Sequence, residues 1–296
     1  MVAIVRFYHF ISTFHHRSVA FSSAVCYNYD INHERSTAMI RLPILTRYGK
    51  LQSILKCVIR TIGTADNRAI GGTYKMELLQ AMKERHSVRS YSDRPITGEV
   101  KDELIRFIEE CNNESGLHMQ LILNEPKAFS GLMAHYGKFS GVKNYIALIG
   151  KKGTDLDEKC GYYGEKVVLK AQQLGLNTCW VATTYSKVKT AFKTDNGEKL
   201  CVVIAVGYGL TQGTAHKSKP AEKVTDADYD APDWFKFGVE AALLAPTAMN
   251  QQKFVFSLNG NKVTLKAGMG FYTKLDLGIV KYHFEIGAGT SNFQWN

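Results

Sequence analysis

The segment KERHSVRSYSDRPI, residues 83–96, places arginine, serine and arginine at every second position, as Arg85, Ser87 and Arg89. In an extended segment these three side chains leave the backbone on one face, because the strand repeat is two residues. Two planar guanidinium groups with a hydroxyl between them can bind a phosphate dianion through charge-assisted hydrogen bonds. The same residues are also compatible with a solvated basic patch at the end of a helix.

Composition is that of a soluble globular protein, with 296 residues, 45% hydrophobic and 22% charged. The net charge of +10 is unevenly spread. Residues 1–75 hold 10 Lys/Arg and 3 Asp/Glu, whereas residues 76–296 hold 27 and 24. The basic excess therefore lies in the first quarter, and residues 76–296 show no electrostatic pattern of a nucleic-acid-binding protein.

The six cysteines form no C-x-x-C pair and have no zinc-like spacing to histidine, so we expect no metal site. Their apolar neighbours indicate free thiols in a reducing compartment, which predicts a cytoplasmic protein. No apolar run reaches the roughly 18 residues of a membrane helix. Sequence motifs of dinucleotide-binding, phosphate-binding and serine-hydrolase loops are also absent from the sequence.

Residues 1–75 show no sustained helical or strand periodicity. We expect Met76 to be the natural first residue, because Gly71-Gly72 can be encoded by a purine-rich ribosome-binding sequence upstream of it. A disordered basic arm is the alternative interpretation. A function in nucleic-acid binding would have to reside in this arm.

From Met76 onward, helical and strand patterns alternate. Helices are predicted after Thr97, which suits an N-cap, and in the segment CGYYGEKVVLKAQQLGLN that ends near Gly175. The segment EKLCVVIAVGYG is typical of a central strand, and Asn259-Gly260 of a hairpin turn. A helix, strand and helix recur after residue 226, which suggests a degenerate internal repeat. Element order alone allows either an α+β fold or a parallel, doubly wound sheet.

Four separated segments together resemble the flavin-dependent nitroreductases. They are RHSVRSYSDRPI (85–96), LGLNTCWVATT (174–184), VVIAVGYG (202–209) followed by HKSKP (216–220), and LLAPTAMNQQKFVF (243–256). The resemblance implies an α+β fold, with a mixed, mainly antiparallel sheet flanked by helices. It also implies bound flavin mononucleotide (FMN) and an NADH or NADPH electron donor.

The order of these segments departs from that of ordinary family members, in which the Ala-Pro-Asn segment closely follows the arginine segment. Here it comes about 150 residues later. Ordinary members are homodimers that bind FMN between subunits. The chain therefore resembles a single-chain, two-lobed branch, with residues 76–225 as the first half and residues 226–296 as a shorter second half. A monomer with one FMN site would follow, although further pairing of chains stays open.

Residue roles are carried over from this resemblance. Arg85, Ser87 and Arg89 would hold the FMN phosphate, with added charge from Lys217 and Lys219. Asn250 would contact the flavin or hold the loop around it, whereas a core role is favoured for Trp180. The complete predicted FMN site is Arg85, His86, Ser87, Arg89, Thr178, Cys179, Trp180, Lys217, Lys219, Pro246, Thr247, Ala248 and Asn250.

The implied function is an FMN-dependent oxidoreductase that passes a hydride from NAD(P)H to a nitroaromatic, quinone or similar acceptor by a ping-pong mechanism. No side-chain catalyst is expected, because the flavin supplies the reactive atom. The alternatives are a flavin-binding protein of the same fold without such turnover, and nucleic-acid binding through residues 1–75.

Overall fold

The computed structural model describes residues 24–31, 34–41, 76–227 and 230–296 of the chain. The chain divides into two units, Met1–Thr73 and Tyr74–Asn296. In the first unit, β1 (Ala24–Ile31) and β2 (Glu34–Arg41) form an antiparallel hairpin that the sequence pattern does not predict. The other expectations for residues 1–75 (translation from upstream DNA, disorder and nucleic-acid binding) fall largely on residues outside the described ones.

The described part of the second unit alternates helices and strands. Its helices are α1 (Leu78–Glu84), α2 (Gly98–Ser115), α3 (Leu132–Tyr136), α4 (Leu156–Gln173), α5 (Asp233–Ala242) and α6 (Thr273–Ala288). Its strands are β3 (Gln120–Ile122), β4 (Tyr145–Lys151), β5 (Asn177–Val181), β6 (Glu198–Gly207), β7 (Phe254–Asn259), β8 (Lys262–Ala267) and β9 (Gln294–Trp295). Short 3-10 turns occur at Pro126–Phe129, Ala221–Lys223 and Ala248–Asn250.

Two sheets are built from these strands. The larger has the order β3-β4-β6-β5, and all its neighbours are antiparallel. The smaller joins β7 and β8 in an antiparallel hairpin and adds β9 in parallel. The hairpin turns at Gly260 as predicted, and this residue has a left-handed backbone with φ of 62°. The α+β prediction with a mixed, mainly antiparallel sheet is thus confirmed, and the parallel alternative is wrong.

The central strands β4 and β6 are apolar along nearly their whole length because both faces of the larger sheet are covered. Ile146 and Leu148 point into a core that also contains residues of α2 and α4. Their neighbours Tyr145 and Ala147 face a second core formed with Phe129 and other residues on the opposite side. This burial on two faces gives β4 and β6 their continuous hydrophobic runs.

Helices α4 and α6 approach each other backbone to backbone through two glycines. A Cβ atom added at Gly161 would lie 2.0 Å from the carbonyl oxygen of Leu275. One added at Gly278 would lie 2.0 Å from the carbonyl oxygen of Glu158. Only glycine permits this distance, and the contact brings the helices of the two predicted halves together. Both halves lie within one unit, and their boundary near residue 225 stays a prediction.

Several predicted element boundaries agree with the structure. Thr97 occupies the N-cap position of α2, although its side chain makes no capping hydrogen bond. Helix α4 starts earlier than predicted, at Leu156, and Gly175 follows its end with φ of 76°. Among the described residues, none of the helices combines the length and apolar character that crossing a membrane requires.

Candidate active site

A cavity of about 480 Å³ lies between the Arg85–Arg89 segment, strand β5, the 246–250 loop and the start of α6. Its wall therefore contains residues of both predicted halves. Ten of the thirteen residues predicted for the FMN site line this cavity: Arg85, His86, Ser87, Arg89, Cys179, Trp180, Pro246, Thr247, Ala248 and Asn250.

The other three predicted residues do not line the cavity. Thr178 is buried in β5, where its carbonyl oxygen accepts a hydrogen bond from the backbone of Val88. The Lys219 ammonium donates to the carbonyl oxygen of Gln252 at 2.9 Å, and the carbonyl oxygen of Lys217 accepts from the Asn250 amide at 2.9 Å. The two lysines thus take part in the contacts of the 250–252 loop.

The Arg85–Arg89 segment is extended, as its alternating pattern predicts. It lies against β5 through a parallel bridge between Ser87 and Thr178. Residues 85, 87 and 89 all line the cavity, as an extended segment allows, and the intervening His86 lines it as well. The two arginines differ in environment, since Arg85 is buried and Arg89 is exposed.

Arg85 is the most deeply buried cation of this site, with only 3% of its surface exposed. Its Nε and Nη1 atoms have no hydrogen-bond partner, and its nearest carboxylate, Glu165, is 3.8 Å from Nε. Burial lowers the pKa of Arg85, and the charge of Glu165 opposes that effect. A buried guanidinium group with unpaired N–H groups is a strong binding point for an anion.

Glu165 contacts His283 as well as Arg85. His283 Nε2 lies 2.9 Å from Glu165 Oε1, and His283 Nδ1 lies 3.2 Å from the carbonyl oxygen of Ala241. Both ring nitrogens face oxygen acceptors, so these contacts need two protons shared between the ring and the carboxyl group. The pair is then neutral overall in either arrangement of its protons. The cluster of Arg85, Glu165 and His283 therefore keeps a net charge of +1, which a ligand can balance.

Trp180 and Cys179 have different roles at the cavity wall. The Trp180 indole lines the cavity and also packs on two hydrophobic cores, while its Nε1 donates to Glu165 Oε2 at 2.9 Å. Burial raises the pKa of the Cys179 thiol, which therefore stays protonated near neutral pH. Neither residue offers a reactive nucleophile.

The 246–252 loop has an unusual backbone conformation. Met249, Asn250 and Gln252 have positive φ values of 51°, 53° and 45°, a region that non-glycine residues rarely adopt. The Gln252 side chain secures the loop, since its Nε2 donates to Asn250 Oδ1 at 2.7 Å and its Oε1 accepts from the backbone of Lys219 at 2.8 Å.

Asp276, in the first turn of α6, anchors the same loop from the cavity side. Its Oδ1 accepts from the backbone of Ala248 at 2.9 Å, and its Oδ2 accepts from Gln251 Nε2 at 2.7 Å. Burial raises the pKa of this carboxyl group to about 6, despite those two hydrogen bonds. Asp276 is thus a titratable group in the cavity wall whose ionisation lies close to neutral pH.

Sequence reasoning did not identify several residues of the site. His216 lies in the quoted HKSKP segment and lines the cavity, whereas the neighbouring lysines were predicted instead. Tyr272 and Asp276 line the cavity, and Glu165 and His283 lie behind Arg85. The sequence does contain a signal for Glu165 and Asp276, because each is a charged residue within the apolar pattern of a helix, α4 and α6 respectively.

Comparisons of sequence and structure identify proteins that are similar to this chain. Residues 77–288 match the sequence profile of the family described as "Putative TM nitroreductase". A crystal structure of a putative nitroreductase from Thermotoga maritima MSB8 is 23% identical in sequence, with a TM-score of 0.54, and the match covers 75% of this chain and 88% of that one. That likeness shows a shared fold.

A putative nitroreductase from Desulfovibrio desulfuricans, crystallised in complex with FMN, is 19% identical, with a TM-score of 0.41 and coverage of 52% of this chain and 98% of that one. No curated protein matches the sequence. The profile match spans far more than half of the 296 residues, and the resemblance drawn from the four segments is confirmed. The chain belongs to the "Putative TM nitroreductase" family.

Proposed function

We propose that the 480 Å³ cavity binds FMN and that the protein is an NAD(P)H-dependent flavin oxidoreductase. Membership of a nitroreductase family supports an oxidoreductase. The proposal includes a cytoplasmic location and a monomer whose two halves each supply part of one FMN site.

The observation that carries the proposal is the charge state around Arg85. This guanidinium group is buried, has unpaired N–H groups and faces a cavity, and its carboxylate neighbour Glu165 is shared with His283, so the cluster keeps a net positive charge. An uncompensated charge in such a place is costly unless a ligand supplies the counter-charge. The terminal phosphate of FMN would supply that charge, and Ser87, which lines the same cavity, would add a hydroxyl donor.

The remaining cavity residues suit the body of the flavin. Trp180 presents an aromatic surface to the cavity. The wall also contains Pro246, Thr247 and Ala248, and the Ala248 N–H donates to Asp276 Oδ1. Asn250 donates its amide to the carbonyl oxygen of Lys217, so it holds the loop in position.

Bound FMN would carry a hydride from NADH or NADPH to a nitroaromatic, quinone or similar acceptor, with donor and acceptor binding in turn. The protein groups would bind and orient the flavin and shield it from water. The cavity offers no activated side-chain nucleophile among the described residues, which suits a reaction whose bond changes take place on the cofactor. Cys179, the thiol in its wall, is protonated near neutral pH because burial raises its pKa.

The test is the visible spectrum of the purified full chain. We expect oxidised-flavin absorption, with FMN released on denaturation, and loss of that absorption in Arg85→Met. Arg106→Met is the matched control, because Arg106 is an exposed residue paired with Glu103 and Glu110 on α2. A protein that cannot be reconstituted with FMN, or an Arg85→Met variant that retains it fully, contradicts the proposed site.

A second experiment separates an oxidoreductase from a protein that only binds flavin. NADH or NADPH is added to the FMN-loaded protein without oxygen, and a nitroaromatic or quinone follows. We expect the flavin absorption to bleach with the donor and to return with the acceptor over many cycles. Flavin that is bound but never reduced by either donor would favour the binding-only alternative.

A further inference from the structure

A second cavity, of about 400 Å³, adjoins the first and shares Arg89, Trp180, Val181 and Ala182 with it. Its other wall is the 136–139 segment together with Thr184. We propose that this cavity is the binding site of the electron acceptor and that it selects aromatic acceptors carrying an anionic group. This inference rests on the proposed function, because the shared wall is what connects the second cavity to the flavin.

Two unpaired cations flank the second cavity. In residues 76–227 and 230–296, neither the Arg89 nor the Lys138 side chain forms an ion pair or donates a hydrogen bond. The Arg89 guanidinium lies over the ring of Phe139, 5.9 Å from its centroid, and this contact leaves its N–H groups available. Arg89 also borders the first cavity, where the resemblance assigns it to the FMN phosphate. Lys138 is therefore the cation that the second cavity adds for an anionic ligand.

Backbone hydrogen bonds join the two segments that carry Arg89 and Lys138. The Ser140 N–H donates to the carbonyl oxygen of Arg89 at 3.0 Å, and the Tyr91 N–H donates to the carbonyl oxygen of Ser140 at 3.0 Å. These bonds tie the Lys138 segment directly to the Arg89 segment. Lys138 itself has a positive φ of 59°, the left-handed conformation that ends α3, and its N–H donates to the carbonyl oxygen of His135 at 2.9 Å.

The second cavity also offers aromatic and apolar surface for a planar ligand. Tyr136 is 82% exposed although it lines the cavity. Phe139, also in the wall, is buried and packs edge-on against Phe129 at 5.2 Å between ring centroids. An aromatic ring with a carboxylate, sulfonate or phosphate group matches both the apolar and the cationic parts.

The experiment compares two acceptors of nearly equal shape, 4-nitrobenzoate and uncharged 4-nitrobenzamide, with the FMN-loaded full chain. We expect kcat/KM to favour the anion by at least fivefold, and Lys138→Gln to lower that ratio at least fivefold through a higher KM for the anion. Lys138→Glu should reverse the preference. Lys262→Gln, a change at an exposed lysine at the start of β8, should leave the ratio unaltered.

The anionic group that Lys138 binds could instead belong to the electron donor. The rate of flavin reduction by NADH and by NADPH, measured without acceptor, tests this. If Lys138→Gln changes those rates and leaves the ratio of the two acceptors unaltered, the inference is overturned. An acceptor ratio near one in the wild type overturns it as well. A protein that binds no FMN or reduces neither acceptor fails the proposed function itself, so the two failures are distinguishable.

Discussion

Replacement of His283 should weaken the binding of FMN although His283 does not line the cavity. In His283→Gln, the side chain no longer supplies the second shared proton, so Glu165 stays an uncompensated carboxylate 3.8 Å from Arg85. Two unit charges at that distance interact by about 4 kcal/mol at an effective dielectric constant of about 20, and by about 2 kcal/mol at twice the distance. A phosphate on the far side of the guanidinium group would lie at roughly the larger distance, so its binding should weaken at least about 30-fold, the value for a single phosphate charge.

Glu165→Gln is the matched variant, and it should behave differently. Its amide can donate to His283 Nε2 and accept from Trp180 Nε1, so the cluster keeps its hydrogen bonds and its net charge of one. FMN affinity should then stay within about threefold of the wild type, since a shift of that size is below 1 kcal/mol.

Titration of the FMN-free proteins with FMN, followed by tryptophan and flavin fluorescence, measures both affinities. Riboflavin, which lacks the phosphate, serves as the control ligand and should bind both variants like the wild type. Equal losses of FMN affinity in the two variants, or an unaltered affinity in His283→Gln with intact thermal unfolding, would refute the charge argument.

Three further predictions concern stability. The folded pKa of Asp276 is about 6, whereas its ordinary value is 3.8. The wild type should therefore lose about 2 kcal/mol of unfolding free energy relative to Asp276→Asn as pH rises from 4 to 7, measured by denaturant titration. Gly278→Ala should lower the unfolding free energy by about 3 kcal/mol or more, because its Cβ would meet the backbone of Glu158. Tyr185→Phe should be neutral or stabilising by about 1 kcal/mol in thermal unfolding, since the buried Tyr185 hydroxyl has no partner.

The fold was predictable to the extent that its signals are local. The apolar runs of β4 and β6, the turn at Gly260 and the glycine after α4 are each written in a few consecutive residues. Local patterns do not predict the antiparallel arrangement of the larger sheet, because strand order depends on pairing between distant segments. The family resemblance is what predicts it. The hairpin at residues 24–41 was missed, since a two-stranded ribbon does not require a strictly alternating pattern.

The same distinction between local signals and contacts of distant segments applies to the candidate site. Alternation placed Arg85, Ser87 and Arg89 on one face, and the structure has all three at the cavity. Lys217 and Lys219 were chosen for their charge, whereas the backbone directs His216 into the cavity. No local pattern could reveal the pairing of residues 165 and 283, which are far apart in sequence and meet only where α4 and α6 cross.

The contact between α4 and α6 lets the second half of the chain influence the charge around Arg85 in the first half. Gly161 and Gly278 let the two helix backbones touch, and the same approach brings His283 of the second half onto Glu165 of the first. Without this proton-sharing partner, the charge of Glu165 would cancel that of Arg85. The shorter half therefore does more than close the cavity, because it leaves the cluster around the buried arginine with a net positive charge that an anion can balance. A small change in the helix contact, such as Gly278→Ala, should then lower FMN affinity even in molecules that remain folded, and riboflavin affinity much less.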